Sequence, residues 1–519
     1  MYLLRLMRAL LVLIAAASPA AVPASTSSGS SPAAVPPGAG TGVYPRRDPT
    51  SVPVTPPGTL YVDRGCASAA GADGTAAKPF CTISAAAAVV APGQTVVVQP
   101  GDYNETVTVS RSGTATAPIT FVAANTLVGP VRVGAVTAQV SGPVFTVQDV
   151  QHVVIRAFVA YSLGANNDFL IKHSTDITID GGAAHSLDAT AIVVTGGSSR
   201  VTVSRASLAS FSPGIQIDPG STGTVVTTNT FIANGRGTGP AFLATDAPGT
   251  VITSNTVEAL CTDVNLAGTS PGGTVENNIL TAKAIQCGAR VAISVSTGSA
   301  PQTVVDYNLT DPRPTSSLVP YSWAGTGYPD QASFTTATGQ GAHDILADPQ
   351  LYRAGSADMT WELALADSAL DSADANAPGE LRTDQVSGPH ADDPNVANTG
   401  TGIGYADRGA IERLDLESTA SCIPFTTSPG TSPQSVRFTY DIPVLGTIDG
   451  LYGTFAYLFD DSPYPVIAPA GTIEHHFAAA GAHTVQVMVS TDGFTTTQGH
   501  TCPSSTVTVA PEYQRRSFS

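Results

Sequence analysis

Lysine is nearly missing from this chain of 519 residues, which contains it only at Lys78, Lys172 and Lys283. Charged residues of all kinds make up 12% of the sequence, and 40 acidic residues outnumber 23 basic ones, so that the formal net charge is −17. An acidic surface repels nucleic acid and anionic membranes, so it is a poor partner for both, and we expect no nucleic-acid partner. It also repels other polyanions unless a bound cation reverses the local field.

Long hydrophobic runs are missing too, apart from one near the first residue. The run "ALLVLIAAA" follows Arg5 and Arg8, and small residues continue to Ala24. This order is typical of a secretory signal peptide, and the run is too short for a transmembrane anchor. We therefore predict a signal peptide over residues 1–24, a secreted, extracellular protein and no membrane span.

Cysteine is scarce, with six residues and no CxxC spacing. In an exported chain this number favours disulfides, whereas a zinc site, the alternative, normally shows CxxC pairs. The cysteines form three local couples, which we predict to be disulfides although the sequence leaves the connectivity open: Cys66 with Cys81, Cys261 with Cys287, and Cys422 with Cys502.

A repeat dominates the middle of the chain. Short alternating segments such as "HVVIR", "DITID" and "RVTVS" begin at residues 152, 176, 200, 224, 250 and 274. Each alternates apolar and polar residues, as a strand with one buried face does. A second strand follows within each period, for example "FLIK" and "IVVT", and no gap is long enough for a helical crossover.

Stacking such coils one strand spacing apart, about 4.8 Å, produces a parallel β-helix. Each coil buries its inner face only by sharing a core with its neighbours. We therefore predict a right-handed parallel β-helix over about residues 95–310. Its stacked interior side chains should include Val153, Ile155, Ile177, Ile179, Val201 and Val203.

The segment before the repeats resembles the opening of secreted right-handed parallel β-helix proteins of the pectate-lyase-like superfamily. The matching elements are Tyr61–Asp63, Gly74-Thr75, Lys78–Phe80, Thr82-Ile83, Ala85–Ala91, Pro92-Gly93 and Pro100–Glu105. The stretches "DPQLY", "WELALADSALDSAD" and "YADRGAIE" resemble the usual close of such domains. The resemblance implies a right-handed β-helix over residues 59–415, with an N-terminal cap and an acidic closing segment.

Two features of this domain are expected to be structural. In the resemblance, Pro100–Glu105 forms the first coil after the capping helix, so Glu105 is expected to support the fold, with Tyr103 and Val107 pointing inward. Asn229, Asn255 and Asn277 follow strands in successive coils and are predicted to form an inward asparagine ladder. The closing segment is expected to be a solvated acidic loop, with calcium binding as the alternative.

The flanking regions have other compositions. Residues 25–58 are rich in Ser, Pro, Gly and Ala and are predicted to be a disordered linker. Over residues 416–511, alternating strands of ordinary length predict a small β-sandwich, and "FAYLFDDS" with "HTVQVMVSTDG" resembles a PKD-type immunoglobulin-like module. Residues 512–519 are a tail. The predicted fold class is therefore all-β, a right-handed parallel β-helix followed by a small β-sandwich.

Candidate site residues lie at outward positions of the second strands. Alternation places Lys172, Gln216, Asp218 and Asn265 there. Lys172 and Asp218 lie two coils apart, about 10 Å, which suits a base facing a metal-bound sugar. We predict Lys172 as a catalytic base and the other three as substrate-binding residues; the alternative is a solvated outer sheet.

The resemblance also implies two kinds of chemistry, that of polysaccharide lyases and that of glycoside hydrolases. Lyases of this fold need a Lys or Arg base and a calcium-held uronate, and hydrolases need closely spaced carboxylates. The sequence blocks typical of polygalacturonases are missing. A second lyase-type group is predicted near the end of the repeats, with Lys283 and Arg290 as bases and Ca²⁺ as cofactor, held by Glu258, Asp263 and Glu276.

Two functions follow as hypotheses. The first is a secreted, polysaccharide-directed β-helix protein that acts as a lyase on a uronate-containing glycan. The second is a non-catalytic extracellular or cell-surface protein that binds carbohydrate or mediates adhesion. In both, the partner is an extracellular polysaccharide, and we expect a monomer.

Overall fold

The structure is a computed structural model. It describes residues 58–66, 70–124, 130–136, 140–186, 188–210, 213–233, 239–259, 261–282, 290–312, 318–349, 351–353, 361–362, 368–385, 390, 392, 396–413, 426–430, 434–440, 454–461, 466–469, 471–490, 500–501 and 505–509.

Within these ranges the predicted β-helix is confirmed. Three sheets of ten strands each run along it, and each coil passes through the first, second and third sheet in turn. The first sheet consists of Thr59–Val62, Thr95–Val98, Ile119–Ala123, Gln151–Arg156, Thr175–Asp180, Ser199–Ser204, Val225–Thr227, Val251–Thr253, Thr274–Glu276 and Val304–Asp306. The second consists of Gly101–Tyr103, Val131–Gly134, Val159–Ser162, Ala183–Ser186, Ser207–Ser210, Thr230–Ala233, Thr256–Ala259, Ile279–Ala282, Leu309–Thr310 and Ile345–Leu346. The third consists of Val107–Val109, Phe145–Gln148, Phe169–Lys172, Ile192–Thr195, Ile215–Ile217, Pro240–Thr245, Thr262–Ala267, Arg290–Val295, Leu318–Trp323 and, antiparallel at its end, Thr326–Tyr328.

The register explains the interior. Val153, Ile177 and Val201 occupy one column on successive coils of the first sheet. Side chains of the same kind therefore stack about 4.8 Å apart, and each fully buried one contributes roughly 1.5–3 kcal/mol. All six predicted interior residues are at most 2% exposed, which confirms the period taken from the sequence.

An asparagine ladder lines the bend between the first and second sheets. Asn229, Asn255, Asn278 and Asn308 are buried there, and the Oδ1 atom of each of the last three accepts the backbone N–H of the preceding member. The predicted ladder is confirmed, but the assignment of Asn277 to it is wrong. Asn277 has a φ of 57°, which turns its side chain out of the ladder, and Asn278 takes the inward position.

A helix, Ile83–Val89, packs against the first coils, and Glu105 holds its first turn. Glu105 Oε1 accepts the Ile83 N–H at 2.8 Å, and Oε2 accepts the Ser84 N–H at 3.0 Å. These bonds satisfy donors that a helix leaves unpaired at its N-terminus. The structural role expected for Glu105 is confirmed, and Tyr103 and Val107 are buried as predicted. Among the described residues, neither this helix nor Gln331–Thr338 has the length and apolarity needed to cross a bilayer.

The cysteines are described only in part. Cys66 and Cys81 form the predicted disulfide, with Cα atoms 5.4 Å apart. Cys261 is disulfide-bonded. Three other cysteines of the predicted bridges lie outside the described residues: Cys287, Cys422 and Cys502.

The described residues of the closing segment pack against the β-helix, and the expectation of a solvated loop is corrected for Asp371, Asp384 and Asp407, which are buried, whereas Asp392 is exposed. Gln385 Nε2 donates to Ala206 O at 3.0 Å and to Thr230 Oγ1 at 2.9 Å. Asp371 and Asp407 are buried, and Asp407 Oδ1 accepts the Asp371 N–H at 2.8 Å. The Asp407 carboxylate replaces solvent as the acceptor for backbone N–H groups, which explains why this acidic residue is found in a buried turn. A two-stranded antiparallel pair, Tyr352–Arg353 with Trp361–Glu362, precedes this segment.

The C-terminal region contains two small antiparallel sheets, as predicted. One consists of Thr426–Pro429, Ser435–Tyr440 and Gly471–His476, and the other of Val466–Pro469, Thr454–Phe459, Gly481–Ser490, His500–Thr501 and Ser505–Val509. Phe438 of the first sheet contacts Phe459 of the second, with ring centroids 5.4 Å apart. This aromatic contact joins the two sheets as the layers of a sandwich. The identification as a PKD-type module stays a prediction.

Candidate functional site

The outer face of the third sheet brings together the predicted residues Lys172, Gln216, Asp218 and Asn265. Phe169 and Ile171 point into the core, so alternation turns Lys172 outward. The register builds two outward columns from neutral and aliphatic side chains around Lys172. One column contains Thr146, Leu170, Val193, Gln216, Leu243, Asn265 and Ser294, and the other contains Gln148, Lys172 and Thr195. We call this face the third-sheet strip.

Lys172 is the one cation among the residues that form these columns. Its side chain is half-buried between Gln148 and Thr195 on the neighbouring strands. Within the described ranges, no carboxylate lies within ion-pair distance of its ammonium group. The charge of Lys172 is therefore available to an anionic ligand.

Gln216 and Asp218 lie further along the strip. Gln216 Nε2 donates to Asp218 Oδ1 at 2.7 Å, which fixes both side chains. The register places Asp218 two strands from Lys172, about 10 Å away. Asn265 lies two strands beyond Gln216 in the same column. The four predicted residues thus spread along two adjacent columns of one sheet rather than closing on a single point.

Two further polar residues lie in the turns next to Lys172, one directly after it and one after Gln148 on the preceding coil. His173 Nδ1 lies 3.5 Å from Asp149 Oδ1, and Gln148 Nε2 donates to Asp149 Oδ2 at 2.8 Å. A Cβ atom added at Gly196 would lie 2.6 Å from His173 Cδ2 and 2.8 Å from Nε2. Glycine therefore leaves the space that the imidazole occupies.

Buried serines form hydrogen bonds to the backbone of this turn. Ser174 Oγ donates to Lys172 O at 2.8 Å, and Ser198 Oγ donates to Thr195 O at 2.7 Å on the next coil. Ser174 N also donates to Ser198 Oγ at 3.1 Å. The backbone that presents Lys172 and His173 is thus fixed by hydrogen bonds between coils.

The sequence reasoning missed Asp149, His173 and Gly196, although a signal for them exists. Asp149 and His173 are 24 residues apart, one period of the repeat, and each follows the last residue of a third-sheet strand. Extending the repeat beyond the strands to the turns would have placed the two side chains next to each other.

The second predicted group is not assembled as a calcium site. Glu258, Asp263 and Glu276 belong to strands of three different sheets. Across the described part of the chain, no group of three or more His, Cys, Asp or Glu side chains could hold a metal ion. These three residues therefore do not fit the calcium that the resemblance implies. Lys283 lies outside the described residues.

Arg290 and Asp263 pair with each other. Arg290 Nη2 lies 2.6 Å from Asp263 Oδ2, with the two side chains 1% and 0% exposed. Arg290 Nη1 also donates to the carbonyl oxygen of Asp311. Burial raises the pKa of Asp263 to about 7, although the Arg290 charge opposes this shift. A buried, paired arginine cannot meet a polymer at the surface, so this geometry does not support a catalytic role for Arg290.

Glu276 is the last residue of its strand in the first sheet and lies beside the closing segment. It is 7% exposed, and its register partner on the next strand is Asp306. Burial, followed by the charges of Asp374 and Asp306, raises the pKa of Glu276 to about 7. The proton that Glu276 then keeps near neutral pH limits repulsion where the closing segment packs.

This raised pKa predicts a pH-dependent stability. Between the ordinary value of 4.5 and about 7 the folded state binds more protons than the unfolded state, so stability falls as pH rises through that window. Glu276→Gln should therefore raise the free energy of unfolding by about 1–3 kcal/mol near pH 8, after allowance for solvent screening, and leave it unchanged near pH 4. Urea unfolding at both pH values measures this, and equal effects at both would contradict it.

Comparisons with known proteins identify no family. No family model matches the chain, and no curated protein matches it. Among solved structures, it is similar to an alginate lyase from Paenibacillus sp. str. FPU-7, with 16% identity over 51% of this chain and 97% of that one, at a TM-score of 0.31. It is similar to a pectate lyase with 16% identity over 69% of this chain and 96% of that one, at a TM-score of 0.34. It is also similar to a rhamnogalacturonan lyase, with 14% identity over 49% of this chain and 68% of that one, at a TM-score of 0.31. Similarities this low carry no argument about activity.

Proposed function

We propose that this protein is secreted and acts on an extracellular polysaccharide that lies along the third-sheet strip. The observation that carries the proposal is the line of outward side chains around Lys172, which offers hydrogen-bonding groups on successive strands. A glycan laid along the helix axis meets a new strand about every 4.8 Å, so each sugar can contact its own pair of side chains.

The finer proposal is a lyase that acts on a uronate-containing glycan. Lys172 is a cation without a carboxylate partner among the neutral side chains of the two columns, and this favours a substrate with a carboxylate. In the elimination, a base takes the proton from the carbon next to the uronate carboxyl. The bond between the sugar and the glycosidic oxygen breaks as a carbon–carbon double bond forms, and the leaving oxygen takes up a proton. The sequence predicts Lys172 as the base of this reaction, and its charge offers a second role as partner of the uronate carboxylate.

Incubation of the full chain with pectate, alginate and chondroitin, with and without calcium, tests the lyase proposal. We expect unsaturated uronates, seen as new ultraviolet absorbance, and a loss of at least about 100-fold for Lys172→Ala. Lys78→Ala is the matched control, because Lys78 is exposed on the segment before the first repeats. If the wild type releases no product from any of the three polymers, the lyase proposal fails. The non-catalytic carbohydrate-binding alternative then accounts for the strip.

A further inference from the structure

We propose that His173, oriented by Asp149, is the general base of the elimination and that Lys172 binds the uronate carboxylate. This inference rests on the proposed lyase function and assigns the proton transfer to a residue other than Lys172.

The orientation of the imidazole is the first observation that supports His173 as the base. His173 Nδ1 faces Asp149 at 3.5 Å, and Asp149 is itself held by Gln148. A proton on Nδ1 is attracted to this carboxylate, which leaves a lone pair on Nε2. Asp149 would also stabilise the imidazolium that forms when Nε2 takes a proton, as a carboxylate does behind a catalytic histidine.

Access to Nε2 carries the second step. The His173 side chain is 52% exposed, and its Nε2 has no hydrogen-bond partner among the residues that the structure describes. The ring lies in the space that Gly196 leaves open on the next coil, so its Cδ2 and Nε2 atoms lie beside Gly196, the residue that follows Thr195 of the strip. A sugar bound on the strip therefore lies within reach of this nitrogen.

Charge carries the third step. Lys172 precedes His173, stands outward on the same strip and has no carboxylate partner in the described part of the chain. An ammonium group has three N–H donors and no lone pair, so it can neutralise a carboxylate but cannot abstract a proton. Pairing with the uronate carboxylate stabilises the negative charge that develops there when the neighbouring carbon loses its proton.

The reaction balances with these groups. His173 Nε2 takes the proton from the carbon next to the carboxyl, and the electron pair of that C–H bond forms the double bond. The bond from the adjacent carbon to the glycosidic oxygen breaks, and that oxygen takes a proton from the imidazolium or from water. Asp149 remains a positioning residue throughout.

Four variants of the full chain separate these roles in the lyase assay. His173→Ala should lower kcat by about 100-fold or more, and added imidazole should restore part of the rate. Asp149→Asn should lower kcat with little change in KM. Lys172→Arg should keep more activity than Lys172→Ala, because arginine keeps the charge but cannot act as a base. His343→Ala is the matched control, since His343 is an exposed histidine 2.9 Å from Asp306 and outside the strip; it should neither lose activity nor respond to imidazole.

The outcomes distinguish this inference from the proposed function. If the wild type releases unsaturated product and His173→Ala and His173→Gln act at the wild-type rate, the inference is overturned and the lyase function stands. Loss of activity in both variants without rescue by imidazole also counts against His173 as the base. If the wild type releases no product, the lyase proposal fails and this inference fails with it.

Discussion

Asn255→Ala is expected to lower the free energy of unfolding by about 3–5 kcal/mol, because it removes one buried member from the asparagine ladder. Asn255 is 0% exposed. Its Oδ1 accepts the backbone N–H of Asn229 at 3.0 Å, and its Nδ2 donates to Val226 O and Thr253 O at 2.9 Å each. The variant leaves these backbone groups unpaired in the core, where water does not replace the lost partner.

Urea unfolding of the full chain, followed by circular dichroism, measures this loss. The matched control is Asn398→Ala, because Asn398 is exposed in the closing segment. The control should change stability by no more than about 0.5 kcal/mol. Similar values for the two variants would show that the ladder does not stabilise the bend.

Asp263→Ala is expected to cost about 3–5 kcal/mol, because it leaves the buried Arg290 charge without its partner. Replacing both residues, as Asp263→Leu with Arg290→Met, should recover much of that loss, since the replacements can pack in the space of the pair. A double-mutant cycle on the free energy of unfolding gives the coupling between the two side chains.

The same cycle decides between two roles for Arg290. A structural pair shows strong coupling in stability, and the double variant keeps any activity toward polysaccharides. If the single variants keep wild-type stability and lose activity, Arg290 acts as the sequence predicted, and the structural interpretation is contradicted.

The fold was predictable because the spacing of the repeat determines which residues stack on successive coils. Val153, Ile177 and Val201 are spaced by 24 residues, and the structure stacks them in one column. The ladder shows the limit of that reasoning. Asn277 and Asn278 are adjacent, and only the positive φ at Asn277 determines which one points inward. A shift of one residue in a strand or bend exchanges the two faces, and composition carries no signal for it.

The candidate site was predictable to the same extent. Alternation placed Lys172 and Gln216 outward correctly, because both lie within regular strands. The prediction of Asp263 as a metal ligand failed, because Asp263 is 0% exposed and pairs with Arg290 from the next coil. Contacts of this kind depend on where another coil turns, and the local pattern does not contain that information.

The closing segment shows a third limit. Its acidic residues indicated a solvated loop, yet Asp371 is 0% and Asp407 is 4% exposed. Asp407 is accommodated by backbone N–H groups that the folded segment itself presents, those of Asp371 and Arg413, which lie 2.8 Å and 2.7 Å from its carboxylate oxygens. A count of charges cannot distinguish an acidic surface from carboxylates that serve as internal acceptors.

Affinity electrophoresis in gels that contain a polysaccharide tests the central claim most directly. We predict that at least one uronate-containing polymer retards the wild type, and that Lys172→Ala combined with Gln216→Ala and Asn265→Ala weakens the retardation at least about tenfold. Arg156→Ala combined with Arg200→Ala, on the outer face of the first sheet, should be retarded as the wild type is. Unchanged migration of the wild type with every polymer, or equal retardation of the wild type and the strip variant, would contradict binding along the third-sheet strip.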